Sequence, residues 1–240
     1  MLKWLSIFLL LATTSAHAQS PLHTDLPLPY LEQVGTQPGN QPLIIFLHGS
    51  GSNEEDLFDI KDQLPAAYTF LSARAPQEVG PDSYQWFNKK PGDGDYDGVT
   101  EDLKSSEALI ADFVVKATEK YHTQPDKVFL VGFSQGAIMS YEVALRHPQI
   151  LGGIAALSGK VLPVLRGELK ADSRLKTLNV FIGHGTADQK VPYPGGADAN
   201  SLLQSLSMQP EFHAYPGIGH TISNSEILDL NNWLHKLNNA

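Results

Sequence analysis

The sequence predicts an α/β fold in which a mostly parallel central sheet is covered by helices on both faces. Short apolar segments alternate with amphipathic helical patterns along the chain. Most of these segments are apolar at every position, as in strands that are buried on both faces. A chain of 240 residues with 42% apolar side chains is also long enough to form one large α/β domain.

The first 18 residues have the features of a secretory signal peptide. Lys3 precedes a short apolar run, and Ala16-His17-Ala18 places small residues at the two positions that a signal peptidase inspects. The run is shorter than the roughly 20 apolar residues of a membrane helix. We therefore expect cleavage after Ala18, a single mature domain over residues 19–240, no stable membrane insertion afterwards, and export to the periplasm or the medium. The alternative is an uncleaved N-terminal anchor.

The strands and helices of this domain are predicted from the same patterns. Residues 19–42 lack a clear period and are expected to hold a short strand or two. Thr100 is expected to cap a helix with an acidic first turn, and Ser52–Glu55 and Ser223–Glu226 each have the sequence of a capping box. The six main strands are predicted at Leu43–Leu47, Thr69–Ala73, Val128–Phe133, Gly153–Leu157, Leu178–Ile182 and Glu211–Tyr215.

Composition excludes several classes of protein. With 17 Lys and Arg against 26 Asp and Glu, the net charge is −9, which argues against a nucleic-acid or anionic-membrane partner because phosphate contacts need basic side chains. The absence of Cys excludes a disulfide scaffold, a thiol nucleophile, Cys-ligated zinc and iron–sulfur clusters.

The strongest local motif is Gly132-Phe133-Ser134-Gln135-Gly136, which directly follows the strand Val128–Phe133 and precedes a helical pattern. A serine at such a sharp strand-to-helix turn has a strained backbone and an exposed hydroxyl. The flanking glycines are expected because a Cβ there would crowd the turn. This context predicts Ser134 as a nucleophile, and the alternative is a glycine-rich turn with an ordinary serine.

A serine nucleophile needs a base and a carboxylate that orients it. His220 lies in a glycine-containing loop between the last strand and the last helix, and Asp188 follows the strand Leu178–Ile182. Both loops belong to the edge where α/β sheets bind ligands. The chain order Ser, Asp, His is that of the α/β-hydrolase arrangement. Asp172 and Asp198 are the alternative carboxylates, and His220 has the alternative role of capping its loop.

The oxyanion of an acyl-transfer reaction needs two backbone donors. The N–H of Gln135, directly after the nucleophile, is one candidate. The other is expected in His48-Gly49-Ser50-Gly51, after the strand Leu43–Leu47. Ser50 is the first choice and Gly51 the alternative. A phosphate loop is disfavoured because no Gly-Lys-Ser/Thr follows, and His48 is expected to be structural.

With these residues placed, the chain resembles the phospholipase/carboxylesterase family of α/β-hydrolases, which includes bacterial carboxylesterases and acyl-protein thioesterases. The resemblance spans roughly residues 40–238, and it implies the triad and oxyanion donors named above and no cofactor. One departure is Ser50, where the family loop commonly reads HGLG. The motifs that carry the resemblance are LHGSG, QWF at Gln85–Phe87, PDKVFLVGFSQGA, LSG, HGTAD with VPY, and GHTIS.

The expected function is hydrolysis of short-to-medium acyl esters, or of thioesters or lysophospholipids, as small-molecule substrates. The alternatives are acyl transfer to a cell-envelope substrate and ligand binding without catalysis. Trp86 is expected either to line the acyl side of the substrate pocket or to pack beneath it. The segment between Gly159 and Thr177 is too short for a large lid domain.

An acidic loop partly matches the sequence of a calcium site. Asp93, Asp95 and Asp97 match the first half of a calcium-binding loop, but Lys104 stands where the bidentate glutamate belongs. We therefore expect no metal.

Overall fold

The computed structural model describes residues 21–37, 39–91 and 97–238. The predicted signal peptide, and with it the start of the mature domain, lies outside these residues, as do Asp93 and Asp95 of the acidic loop. The strands are β1 (Tyr30–Gln33), β2 (Leu43–Leu47), β3 (Thr69–Ala73), β4 (Gln77–Gly80), β5 (Ser83–Gln85), β6 (Val128–Phe133), β7 (Gly153–Leu157), β8 (Asn179–Gly185) and β9 (Glu211–Tyr215).

Seven of these strands form the central sheet, in the order β1-β3-β2-β6-β7-β8-β9, while β4 and β5 form a separate hairpin. β1 runs antiparallel to β3, and the other neighbouring pairs of the large sheet are parallel. The α-helices are α1 (Thr100–Lys120), α2 (Gln135–Arg146), α3 (Pro163–Glu168), α4 (Pro194–Ser205) and α5 (Asn224–Asn238).

Both faces of the sheet are buried. Side chains along a strand point alternately to the two faces, and on β2 the alternate residues enter different apolar clusters. On β2, Leu43, Ile45 and Leu47 join the apolar cluster that contains residues of α1, α2 and α4. Ile44 and Phe46 join the opposite cluster, with residues of α5 and of the 3₁₀ helix Phe58–Gln63. The predicted fold class, a mostly parallel sheet with helices on both faces, is confirmed.

The site lies where the chain changes direction across the sheet. From β2 the chain adds β3 on one side, and it later adds β6 on the other side. Parallel α/β sheets bind ligands at the carboxyl edge of such a switch point. Ser50 follows β2 and Ser134 follows β6, so the sheet places both residues at this edge.

The helix predicted to start at Ser52 is wrong. The chain instead makes turns through residues 54–57 and then the 3₁₀ helix Phe58–Gln63. Ser52 forms an isolated bridge with Tyr84, and the side chain of Asn53 accepts the N–H of Glu55 at 2.9 Å. Ser52 therefore starts no helix, because its backbone is tied to the β4–β5 hairpin.

Two other boundaries differ from the prediction. Thr100 is the first residue of α1 and not its cap, since the extended Val99 precedes it and no side chain caps the helix. The acidic first turn with Glu101 and Asp102 is present. The strand predicted at Leu178–Ile182 runs from Asn179 to Gly185, so it ends three residues before Asp188.

The capping box at the start of α5 is confirmed. The N–H of Glu226 donates to Ser223 Oγ at 3.2 Å, and the N–H of Ser223 donates to Glu226 Oε2 at 3.4 Å. Glu226 is only 1% exposed, and a Cβ on Gly183 would lie 2.3 Å from its Oε1. This burial raises the pKa of the Glu226 carboxyl to about 7.

Glu226 should make the protein less stable as the pH rises. Because its pKa in the folded protein lies above the ordinary 4.5, the folded state holds the proton more tightly than the unfolded chain. Its contribution is therefore fully present below about pH 4.5 and lost as the pH rises through about 7, and the difference corresponds to at most about 3 kcal/mol.

Urea unfolding at about pH 5 and pH 8 tests this effect. The wild type should lose stability between the acidic and the basic condition, whereas Glu226→Gln should not lose this contribution, since glutamine does not ionise. The free energy of unfolding of Glu226→Gln minus that of the wild type should therefore be larger at pH 8 than at pH 5. Glu101→Gln, which neutralises an exposed carboxylate, is the matched control. An equal difference at both pH values would show that Glu226 is already ionised in the folded protein.

No helix within the described part of the chain combines the length and the apolar character needed to cross a bilayer.

Candidate active site

Ser134 occupies the sharp turn between β6 and α2. Its backbone dihedrals, φ 54° and ψ −114°, lie outside the regions that residues other than glycine ordinarily adopt. A Cβ on Gly132 would lie 2.3 Å from the carbonyl oxygen of Gly136, and a Cβ on Gly136 would lie 1.9 Å from that of Leu47. The two glycines are therefore needed for the close packing of α2 against the sheet, and this packing fixes the strained turn.

The structure brings together the three residues predicted from separate loops. His220 Nε2 lies 2.9 Å from Ser134 Oγ, and His220 Nδ1 lies 2.7 Å from Asp188 Oδ2. The Asp188 side chain is fully buried, whereas that of His220 is 20% exposed. A proton can thus pass between the hydroxyl and the imidazole, with a desolvated carboxylate on the far side of the ring.

Asp188 is held by its own loop. Its Oδ1 accepts the N–H groups of Lys190 at 2.8 Å and Val191 at 3.0 Å. These bonds leave Oδ2 for His220 and fix which carboxylate oxygen faces the ring.

His184 is a part of the site that the sequence analysis did not single out. Its Nε2 lies 2.8 Å from the carbonyl oxygen of Val191 and 3.5 Å from Asp188 Oδ2. Burial lowers the pKa of this fully buried imidazole, which favours the neutral ring with a proton on Nε2. His184 thus ties the loop around Asp188 together. Its place in HGTAD, four residues before Asp188, is the sequence feature that could have indicated this role.

The loop with the proposed oxyanion donor lies against the nucleophile. A Cβ on Gly49 would lie 3.5 Å from Ser134 Cβ. The N–H of Gly51 donates to the carbonyl oxygen of Tyr84 at 2.8 Å, so the alternative donor is engaged elsewhere. None of the hydrogen bonds among the described residues uses the N–H of Ser50. The N–H of Gln135, at the first position of α2, needs no partner within the helix.

Trp86 packs beneath the site, which is the second of the two positions expected for it, and does not form a wall of the substrate pocket. The side chain is fully buried, and its indole Nε1–H is satisfied by the carbonyl oxygen of His48 at 2.9 Å. The backbone N–H of Trp86 donates to Gln135 Oε1 and Gln135 Nε2 donates to the carbonyl oxygen of Phe87, both at 2.7 Å. These bonds join the Ser50 loop to the start of α2.

A partly buried ion pair holds the segment that follows this loop. Arg74 Nε donates to Glu54 Oε2 at 2.6 Å, and Arg74 NH1 donates to the hydroxyl of Tyr84 at 3.1 Å. Burial alone would raise the pKa of Glu54, but the hydrogen bonds from Arg74 lower it below its usual range. Neither residue was singled out from the sequence, because their separation along the chain forms no local pattern.

The other candidates are placed in structural roles. His48 is fully buried, its Nδ1 faces the carbonyl oxygen of Gly49 at 2.7 Å, and its Nε2 accepts the N–H of Ala75 at 3.1 Å. Asp172 binds Arg174, and Asp198 is exposed on α4. Within residues 21–37, 39–91 and 97–238, no three His, Cys, Asp or Glu side chains lie close enough to hold a metal ion.

Comparison with known proteins identifies the family of this chain. The model of the Phospholipase/Carboxylesterase family matches residues 33–238. Carboxylesterase SOBER1 of Arabidopsis thaliana is 29% identical over 208 residues, which are 80% of this chain and 89% of the relative. Acyl-protein thioesterase 1 of Saccharomyces cerevisiae is 31% identical over 220 residues, 83% of this chain and 94% of the relative.

A solved carboxylesterase from Mesorhizobium loti has a TM-score of 0.75 at 25% identity, covering 90% of this chain and 98% of the other. The family expected from the sequence motifs is therefore confirmed. This chain belongs to the phospholipase/carboxylesterase family of α/β-hydrolases, and it is a serine hydrolase of the carboxylesterase type.

Proposed function

We propose that this protein hydrolyses carboxylic esters of short to medium acyl chain length through an acyl-enzyme intermediate on Ser134. Thioesters and lysophospholipids are further candidate substrates, and no cofactor takes part. The observation that carries the proposal is the unbroken hydrogen-bond chain from Ser134 Oγ through His220 to the buried carboxylate of Asp188.

In the proposed reaction, Ser134 Oγ attacks the acyl carbon while His220 Nε2 takes its proton. His220 then gives that proton to the oxygen of the leaving alcohol, and the acyl group remains on Ser134. A water molecule attacks the acyl-enzyme with His220 again as the base, which releases the acid. Asp188 keeps the ring oriented and stabilises the imidazolium that forms in each step.

The backbone N–H groups of Ser50 and Gln135 are proposed to bind the negative oxygen of the tetrahedral intermediates. Support comes from the unengaged N–H of Ser50 among the described residues and from the helix N-terminus at Gln135. The bonds that join the two segments through Trp86 and Gln135 hold the donors before substrate arrives. Preorganised donors of this kind are typically worth about 10²–10³ each in rate.

The preference for short acyl groups is proposed from what covers the site. The segment between Gly159 and Thr177 contains only the short α3 and a 3₁₀ turn, and His220 is accessible from solvent. An open site gives long acyl chains little apolar surface to bury, and each buried CH₂ contributes about 0.8 kcal/mol.

A series of p-nitrophenyl esters tests both parts of the proposal. We expect hydrolysis of the butyrate and octanoate and lower kcat/KM for the laurate and palmitate. Activity that rises steadily from laurate to palmitate would contradict the open site, and no hydrolysis of any ester would contradict the function. Product analysis with added glycerol separates hydrolysis, which releases free acid, from transfer, which yields the glycerol ester.

We further propose that the protein is exported, because of the sequence of its first 18 residues. N-terminal sequencing of protein from the exported fraction should begin at Gln19, and recovery of Met1 there would contradict cleavage.

A further inference from the structure

A cavity of about 270 Å³ opens beside His220. It lies on the face of the sheet that α5 and the 3₁₀ helix Phe58–Gln63 cover. This volume suits a small organic group rather than a long chain. Its apolar walls are formed by Leu57, Ile60, Phe133, Ile222 and Ile227.

Asp56 also lines this cavity, and with Thr221 and His220 it adds polar side chains to the apolar walls. The Asp56 side chain is exposed, and it makes no hydrogen bond or ion pair with any residue that the structure describes. Glu54, two residues earlier, is by contrast fully engaged by Arg74. Asp56 thus adds an unpaired negative charge to the residues that line the cavity.

The aromatic ring of Phe133 forms another part of the lining. Its centroid lies 4.8 Å from that of the His220 ring. A carboxylate close to apolar and aromatic walls is suited to a cation with an apolar body, since the charge meets Asp56 and the body meets the walls and the ring. The negative net charge of the chain, −9, attracts such a group from solution.

The chemistry of the site decides which half of an ester enters this cavity. His220 Nε2 must lie within hydrogen-bond distance of the leaving oxygen in order to protonate it. The group bonded to that oxygen therefore extends along the side of the site that His220 itself lines. This side is the alcohol side of the ester, whereas the acyl oxygen turns toward Ser50 and Gln135.

We propose that the cavity beside His220 binds the alcohol part of the ester and that Asp56 makes it selective for alcohols with a positive charge. Quaternary ammonium alcohols and protonated amino alcohols of about the size of choline have the required chemistry. This inference rests on the proposed esterase function and names a specificity residue for it.

The test compares two esters of the same shape. Butyrylcholine carries a positive nitrogen, and neohexyl butyrate has a carbon atom in its place. We expect kcat/KM to favour the choline ester by about three- to tenfold in the wild type, as for a partly exposed cation beside a carboxylate and a ring. The ratio should be about three- to tenfold lower in Asp56→Asn than in the wild type, and salt should lower it in the wild type.

Asp59→Asn is the matched control, because Asp59 is exposed on the neighbouring 3₁₀ helix and does not line the cavity. This variant loses the same charge and should keep the wild-type ratio. The ratio is the readout, so that any general loss of activity cancels.

The inference is overturned if Asp56→Asn keeps the ratio, or if Asp59→Asn lowers it equally, which would assign the preference to the overall charge. It is also overturned if the wild type hydrolyses both esters equally. If the wild type hydrolyses neither these esters nor p-nitrophenyl butyrate, the esterase function itself is refuted and the inference falls with it.

Discussion

Replacing Ser134 by alanine should reduce kcat for p-nitrophenyl butyrate by about 10⁶. The hydroxyl is the atom that bonds the acyl carbon, and His220 Nε2 lies 2.9 Å from it. Without Oγ, only a water molecule and the backbone donors remain, and these leave a small residual rate. The fold should persist, because alanine keeps the Cβ that already occupies this turn.

The control is Ser201→Ala, which removes an exposed hydroxyl from α4 and should leave kcat unchanged. A fluorophosphonate probe should label the wild type and Ser201→Ala but not Ser134→Ala, and circular dichroism checks that each variant is folded. If folded Ser134→Ala kept a tenth of the wild-type kcat, another group would be the nucleophile.

Asp188→Asn should lower kcat by about 10⁴. The Oδ1 position accepts two backbone N–H groups, from Lys190 and Val191, so the amide oxygen of an asparagine must stay there. Its NH₂ group then faces His220 Nδ1 and donates to it. The ring proton moves to Nε2, where it blocks acceptance of the proton from Ser134.

Steady-state kinetics with p-nitrophenyl butyrate measure this loss, and Asp198→Asn is the matched control because that carboxylate is exposed on α4. The loss should appear mainly in kcat, because the carboxylate acts through His220 and not on bound substrate. A loss below tenfold in Asp188→Asn would mean that another group orients the imidazole.

Much of the fold was predictable because burial on both faces leaves a continuous apolar pattern. Five of the six predicted strands have the predicted bounds, and the sixth is shifted toward Asp188. The relation between Ser134, Asp188 and His220 followed from the same reasoning, since parallel strands bring their carboxyl ends to one edge. The loops that follow those strands therefore come together at this edge, although no local sequence pattern links one loop to another.

The errors arose where contacts distant in sequence override local preference. The capping box at Ser52 failed because the β4–β5 hairpin pairs with that residue. The sequence could not decide whether Trp86 lines the substrate pocket or packs beneath it, since its position depends on a bond to the carbonyl oxygen of His48. His184 was passed over because its bond to Val191 depends on how the loop between them folds.

The positions of Trp86 and Trp233, both buried, offer a way to follow the unfolding of the protein. Trp86 lies in the apolar cluster of α1 and α2, whereas Trp233 lies in that of α5, with its ring 5.8 Å from Phe129. Each layer of the molecule thus carries its own fluorophore. With one indole replaced by phenylalanine, emission from the other reports melting of a single layer, and coincident transitions would mean that both layers separate from the sheet together.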